Sequence, residues 1–363
     1  MAKSRNNEVL KYDFWNANGL TLPINPMVKL LKMFETTWKE SDLVFIQETK
    51  LDPSKVKDVR DLARSYGYNC ILNDSIPGST PGWFSYGVCV FFKLGMHVER
   101  IENLQCTPSN PERIMVVKVK SPLADKGLYF VNLYFPCHHS SDAIRDDERH
   151  RWFLTTEFLC SKLSDKFAVW IGDFNAMEFN RTLVPSMAKS DYRCIAFNQF
   201  KEIFSRHNFL NLNSILWDNN VFTRFQWSGE RFATSILDYA VISHKLHEFN
   251  HTIQPIYDED VLFLSDHVNI KGSIRVTTEE FPRLDDMQKL IFDPPKLIKL
   301  KNTATSCPYC PQCCITPAEL VVHIRSHTGE KPTPSNFAGP FKTALLHKSQ
   351  TLMNDWHIIF SPD

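Results

Sequence analysis

The chain has 363 residues, of which 43% are hydrophobic and 23% charged, ordinary values for a globular protein. Lysine plus arginine and aspartate plus glutamate each number 41, which excludes a histone-like basic carpet or an acidic tail as the working device but not a local basic patch. No run of 18 apolar residues could form a membrane-spanning helix, and Met1–Asn7 lacks the apolar stretch of a secretory signal. A nuclear or cytoplasmic protein with no membrane partner is therefore expected.

Short apolar runs rich in Val, Ile, Phe and Tyr predict strands at Val9–Trp15, Leu43–Gln47, Gly87–Phe92, Arg113–Val119, Leu128–Tyr134, Phe167–Gly172, Leu237–Ser243 and Val268–Val276. Helical patterns are read at Met27–Lys39, Val56–Ser65, Ser141–Leu163 and Cys194–Arg206. Runs such as Phe130-Val-Asn-Leu-Tyr-Phe135 suit strands buried between two sheets, so the expected class is α/β, an α/β sandwich. From Thr277 the character changes. Residues 277–304 read as a Pro- and Lys-containing linker, 305–332 as a compact Cys/His unit, and 333–363 as a poorly ordered tail. The segment from Thr277 onward carries 9 basic and 9 acidic residues, so neutrality belongs to both parts of the chain.

Chemically capable residues recur where the predicted strands end. Asn16 and Asn18 follow the first strand, Glu48 the second, Tyr134 closes the fifth, and Asp173 and Asn175 follow the sixth. Asp238 stands near the start of the next, and Ser265, Asp266 and His267 precede the last. A carboxylate at the end of an apolar strand costs solvation unless it lies at a rim or binds a cation. Several such ends on one rim make a hard-oxygen site suited to Mg²⁺. A histidine beside two aspartates adds a tunable proton carrier.

The ordered fragments Trp15-Asn-Ala-Asn-Gly-Leu20, Gln47-Glu-Thr49, Asn132-Leu-Tyr134, Gly172-Asp-Phe-Asn175, Leu237-Asp-Tyr239 and Ser265-Asp-His267 resemble the endonuclease/exonuclease/phosphatase superfamily. Within it, Asn-Ala-Asn-Gly-Leu and Gly-Asp-Phe-Asn-Ala look most like the apurinic-type endonucleases of LINE retrotransposons. The resemblance implies a four-layered, DNase I-like α/β sandwich, a Mg²⁺ (or Mn²⁺) site and phosphodiester hydrolysis on DNA. It implies that Glu48 is the main metal ligand, helped by Asn18, with Asn16 nearby in the metal site's hydrogen-bond network and Asp266 close to the metal or binding its waters. It implies that Asp173 orients or deprotonates the attacking water and that Asn175 positions it. His267 would contact the scissile phosphate, Asp238 would orient His267, and Tyr134 would bond the phosphate or assist the leaving oxygen. Ser265 reads equally as a turn hydroxyl. His138 and His139 read as loop residues. Many relatives carry arginine where this chain has Ile236, and Asp13 is unusually polar for a strand interior.

Residues 220–235 alternate aromatics with Arg224 and Arg231 around a Ser-Gly turn, which predicts a hairpin. In LINE-type endonucleases the comparable stretch probes the minor groove, so Arg224, Arg231 and Trp227 are candidate DNA contacts. The other reading is an ordinary hairpin with surface arginines.

Ten cysteines are too sparse for a disulfide scaffold, but Cys307, Cys310, Cys313 and Cys314 fall within eight positions. Cys307-x₂-Cys310-x₁₂-His323-x₃-His327 has C₂H₂ zinc-finger spacing, with Thr328-Gly-Glu-Lys-Pro332 as the linker typical of tandem fingers. Two thiolates on a turn and two imidazoles one helical turn apart can converge on Zn²⁺. A shifted Cys310/Cys313 pair is the alternative ligand choice. The finger is read as a tether to DNA, RNA or a protein.

The expectation is a Mg²⁺-dependent endonuclease that nicks one DNA strand, with modest non-specific affinity and a shallow salt slope. The alternatives are the same chemistry on RNA or a small phosphate ester, and a catalytically silent element remnant that binds through its finger.

Overall fold

The computed structural model describes residues 9–20, 26–78, 80, 82–104, 111–121, 124–137, 143–178, 191–217, 221–228, 231–247, 249–262, 264–276, 305–306 and 313–314. Its contacts divide into two units, one of residues 1–226 and 234–284, the other of residues 227–233 and 285–363.

The elements of the first unit begin with β1 (Val9–Asn16), α1 (Pro26–Glu35), β2 (Leu43–Gln47), α2 (Val56–Ser65), β3 (Tyr68–Leu72) and β4 (Val88–Lys93). They continue with β5 (Val98–Arg100), β6 (Ile114–Ser121), β7 (Ala124–Tyr134), α3 (Ala143–Leu163), β8 (Phe167–Asp173) and α4 (Tyr192–Arg206). The last are β9 (Phe209–Asn211), β10 (Asp238–Ser243), β11 (Phe249–Ile256) and β12 (Asn269–Val276). The strands form two six-stranded sheets, in the orders β11-β12-β1-β2-β4-β3 and β9-β10-β8-β7-β6-β5.

Side-chain alternation decides which face meets what. Leu10, Tyr12, Phe14, Leu43, Phe45, Val88 and Val90 of the first sheet join Phe130, Val169 and Ile171 of the second in one buried cluster. The residues that alternate with them point the other way. Trp15, Val44, Ile46 and Phe91 pack with Leu30, Phe34 and Val59 of α1 and α2. Ala168 and Trp170 pack with Trp152, Phe200 and Phe204 of α3 and α4. Helix, sheet, sheet and helix make a four-layered α/β sandwich of the DNase I type, as expected. Helix α1 stops at Glu35, short of the expected Lys39. Trp38 N–H reaches back to Met33 O at 2.9 Å, and the indole packs on Phe34 with ring centroids 5.2 Å apart.

The sheets are tied by polar groups as well as by apolar area. Gln47 Nε2 donates to Asn132 Oδ1 at 2.6 Å, and Asn132 Nδ2 donates to Ile46 O and Cys89 O at 3.1 and 3.0 Å. Register then sets the functional rim. Asn16 pairs with Gln47 in parallel, so Glu48 follows at the same edge. Asp173 lies opposite Tyr134 on one side and Asp238 on the other.

The polar Asp13 of β1 is explained by its partners. It accepts from Ser41 Oγ and, at 2.5 Å, from Asn269 Nδ2, whose Oδ1 accepts from Trp38 Nε1 at 3.0 Å. Burial pushes its pKa up to about 7, against the lowering effect of those hydrogen bonds. A carboxyl that binds its proton more tightly when folded stabilises fully below its unfolded pKa of about 4, and that contribution is lost as pH rises through about 7. Asp13→Asn is therefore expected to gain stability relative to the parent by a few kcal/mol between pH 4 and 8, read by denaturant unfolding. A constant difference across that range would show that Asp13 stays ionised.

Candidate active site

The chain leaves β1 in a tight polar turn. Asn16 Oδ1 accepts from Asn18 N–H at 2.9 Å, and Asn18 sits at φ 45°. The turn runs beside the segment after β2, with Ala17 N–H to Gln47 O at 3.0 Å, Gly19 N–H to Glu48 O at 2.7 Å and Leu20 N–H to Thr49 O at 2.7 Å. From below, Lys29 of α1 clamps it. That ammonium is 2% exposed and donates to Ala17 O and Gly19 O at 3.0 and 2.7 Å, and burial lowers its pKa to about 8. Glu48 and Lys50 adopt φ 50° and 45°, left-handed conformations that a non-glycine residue holds only when its surroundings impose them. Thr49 and Lys50 donate their N–H groups to Gly87 O and Tyr86 O at 2.9 and 2.7 Å.

Two groups of side chains result. In the first, Glu48 Oε1 accepts from Asn16 Nδ2 at 3.0 Å and Glu48 Oε2 meets Lys50 Nζ at 2.5 Å. Lys50 Nζ also donates to Asn18 Oδ1 at 2.9 Å, and Asn18 Nδ2 donates to Asp266 Oδ1 at 2.9 Å. Burial alone would raise the Glu48 pKa. The Lys50 charge and hydrogen bonds from Lys50, Asn16 and Tyr134 outweigh it and hold the carboxyl below its ordinary range. Asp266 is likewise lowered, its burial outweighed by His267 and Arg224.

In the second group, Asp173 Oδ2 accepts from Asn16 Nδ2 at 2.8 Å and its Oδ1 from Asn175 N–H at 2.8 Å. Asn175 Nδ2 reaches Phe135 O at 2.7 Å. His267 Nδ1 bonds Asp238 Oδ2 at 2.8 Å, and its Nε2 stands 3.8 Å from Asp173 Oδ2, beyond hydrogen-bond range. Burial would lower the His267 pKa, but the carboxylates of Asp238, Asp173 and Asp266 raise it to about 9. Burial also pushes Asp173 up, opposed by the adjacent imidazole. The site thus pairs an imidazolium with a carboxyl whose affinity for a proton is raised.

The donor chemistry fits a divalent cation at the first group. Glu48, Asn18 and Asp266 supply carboxylate and amide oxygens only, and Lys50 Nζ already sits between Glu48 and Asn18 as a stand-in cation. Ligand atoms of Asp173, Asp238 and His267 also lie within 4.8 Å of one another. There Nδ1 is committed to Asp238, and Nε2 stands 3.8 Å from Asp173 Oδ2, a geometry suited to an acid–base array.

The expected positions gain detail. Asn16, expected near the metal in its hydrogen-bond network, turns its Nδ2 hydrogens to Glu48 and Asp173 and accepts from Asn18 N–H with its oxygen, so it is a spacer between carboxylates. Ser265 Oγ donates to Asn16 O at 2.7 Å and accepts from His267 N–H at 3.1 Å, which makes it a turn hydroxyl. Tyr134 bonds Glu48, and the guanidinium of Arg113, 4% exposed, lies over the rings of Tyr86 and Tyr134 at 3.6 and 4.9 Å.

Residues Arg224–Ser228 and Arg231–Ser235 form the expected two-stranded hairpin. Arg224 is at its base, with Nε bonded to Asp266 Oδ2 at 3.0 Å, so it buttresses the site instead of projecting from the tip. The side chains of Trp227 and Arg231 lie outside the described part, as do Cys307, Cys310, His323, His327, His138 and His139. Lys50, Lys29 and Arg113 were not legible as site residues. The one local signal is the positive charge two positions after Glu48.

Asp238→Asn should lower the His267 pKa well below about 9, because the hydrogen-bonded carboxylate that does most to offset burial is lost while Asp173 and Asp266 remain. Imidazole NMR titration reads this directly, and an unmoved pKa would remove Asp238 from its assigned role.

Comparisons with known proteins place this geometry. Residues 14–267 match the profile of the endonuclease/exonuclease/phosphatase family. No curated protein matches the chain. The 3′ phosphatase NExo of Neisseria, solved with a product DNA hairpin, is 16% identical, with 76% of this chain and 100% of that one covered at TM-score 0.55. The AP endonuclease of Archaeoglobus fulgidus is 18% identical, with coverages of 72% and 98% at TM-score 0.55. The AP endonuclease LMAP of Leishmania major is 18% identical, with coverages of 74% and 88% at TM-score 0.57. At these identities the structures share the fold, while the family match runs from Phe14 in β1 to His267, just before β12, and includes every residue of both polar groups. The chain belongs to the endonuclease/exonuclease/phosphatase family of phosphoester hydrolases.

Proposed function

We propose that the protein is a divalent-metal-dependent DNA endonuclease of the LINE-retrotransposon type, which nicks one strand by phosphodiester hydrolysis. The observation that carries this reading is the pair of polar groups bridged by Asn16: an oxygen-rich cation locus and a buried Asp–His–Asp array. Glu48, Asn18 and Asp266 would hold Mg²⁺ or Mn²⁺, which supplies charge neutralisation at phosphate oxygens.

The remaining roles fall to the chain itself. Asp173, with its raised proton affinity, accepts a proton from the attacking water near neutral pH. Asn175, fixed by its backbone bond to Asp173, orients that water. His267 keeps its Nε2 hydrogen for a phosphate oxygen and, as imidazolium, offsets the negative charge that develops there. Asp238 fixes its tautomer and tilt through Nδ1.

The choice of DNA and of the retrotransposon class rests on the Asn-Ala-Asn-Gly-Leu and Gly-Asp-Phe-Asn-Ala wording and on the hairpin that carries Trp227 and Arg231. A nuclear site of action follows from that substrate. The finger of Cys307, Cys310, His323 and His327 is assigned Zn²⁺ and a tethering role towards DNA, RNA or a protein. Antiparallel pairing of Thr305–Ser306 with Cys313–Cys314, which brackets Cys307 and Cys310, supports the β-hairpin such a finger needs. Domain limits of 9–276, 277–304, 305–332 and 333–363 go with this assignment.

Supercoiled plasmid should be converted to open circles with Mg²⁺ and not with EDTA. Asp173→Asn and His267→Ala should each slow nicking by at least about 100-fold. Equal nicking by these variants would overturn the assignment, and cleavage of RNA or small phosphate esters in place of DNA would redirect it. Metal analysis should find about one zinc per chain, lost in Cys307→Ser. Retained zinc in that variant would favour the Cys310/Cys313 ligand pair.

A further inference from the structure

We infer that Lys50 is a place-holding cation that exchanges with the divalent metal: its ammonium engages the oxygens of Glu48 and Asn18 and must leave before these residues can ligate. This deepens the proposed function and rests on its metal assignment. The geometry is direct. One nitrogen lies 2.5 Å from Glu48 Oε2 and 2.9 Å from Asn18 Oδ1, so the oxygens offered to a metal are already engaged. A cation bound to both of them would stand within about 2–2.6 Å of each, which leaves no room for the ammonium.

The surroundings hold the ammonium in place and also permit its exit. Lys50 N–H is bonded to Tyr86 O at 2.7 Å, and the residue is kept at φ 45°, so its stem starts from a fixed point beside Glu48. A Cβ placed on Gly19 would come within 3.3 Å of Lys50 Cδ, which shows how closely the stem is packed against that turn. The side chain is nevertheless 31% exposed, against 13% for Glu48, so the head can swing to water while the carboxylate stays. Lys29 lies beneath the same turn, where its ammonium donates to Ala17 O and Gly19 O and holds the turn that carries Asn18 in place whether or not Lys50 is engaged.

A largely buried carboxylate stripped of a cationic partner is costly, so the ammonium also keeps the site organised when metal is scarce. Exchange of one cation for another leaves Glu48 paired throughout. Occupancy by Lys50 lowers the apparent metal affinity by the fraction of molecules in which the locus is free.

Isothermal titration of the full chain with Mn²⁺ in the absence of DNA tests this. Lys50→Met should bind Mn²⁺ at least about tenfold more tightly than the parent. It should also melt lower in EDTA and gain more melting temperature on adding Mn²⁺. Lys50→Arg keeps the charge and serves as the control, with affinity near the parent's. If Lys50→Met fails to fold, amine acetylation of the parent read by mass spectrometry gives a second measurement. Lys50 should be protected in EDTA and become at least several-fold more reactive with Mn²⁺. Equal or weaker Mn²⁺ binding by a folded Lys50→Met, or Lys50 reactivity unmoved by the metal, overturns the exchange while the nuclease reading stands. Absence of Mn²⁺ binding in both parent and Lys50→Met overturns the exchange together with the metal assignment.

Discussion

The two hydrogens of the Asn16 carboxamide go to two carboxylates, Glu48 at 3.0 Å and Asp173 at 2.8 Å, and the two halves of the site hang on that division. Glu48 follows the C-terminal end of β2 in the first sheet, and Asp173 ends β8 in the second. Two anions brought this close would repel unless something neutral and doubly donating stood between them. A carboxamide meets that need, because it gives one hydrogen to each side and leaves its oxygen to close its own turn on Asn18. Asn132 does similar work deeper in the sandwich, where it receives Gln47 and donates to Ile46 O and Cys89 O. Registry between the sheets is thus fixed twice by amides, once in the core and once at the rim.

Electrostatics then separates the two halves. Around Glu48 and Asp266 the cations Lys50 and Arg224 keep the carboxylates ionised in spite of burial. Around Asp173 no lysine or arginine bond is present among the described residues, and burial raises its proton affinity. One set of acids is therefore suited to hold a cation and the other to move a proton. Both are built from the same residue types, a few residues from the ends of neighbouring strands. Asp238 completes the second set by holding the His267 ring.

Strand positions and the rim they share are legible in the sequence because alternation is strong: Val169 and Ile171 face one cluster, Ala168 and Trp170 the other. β11 is harder to read, since His251 and Pro255 stand at inward positions where an apolar residue would signal a strand. Asp13 looks misplaced in sequence because its partners Ser41 and Asn269 lie 28 and 256 positions away. Lys50 is close in sequence to Glu48 yet escapes notice. What joins them is a pair of left-handed backbone conformations, which neither period 2 nor period 3.6 encodes. The ordered motifs locate the catalytic candidates, whereas the cations that tune them become visible only in three dimensions.

Gly172 lies between Trp170-Ile and Asp173 on β8, at φ 133°, and a Cβ there would come within 2.0 Å of Leu133 O on β7. The two backbones therefore touch at a distance that no side chain permits, immediately before Tyr134 and Asp173, which face each other in register. Any side chain at position 172 would have to push β8 away from β7, and the first residues to feel it would be Tyr134 and Asp173, whereas the Glu48–Lys50 loop and the Asp266–His267 turn are mounted on other strands.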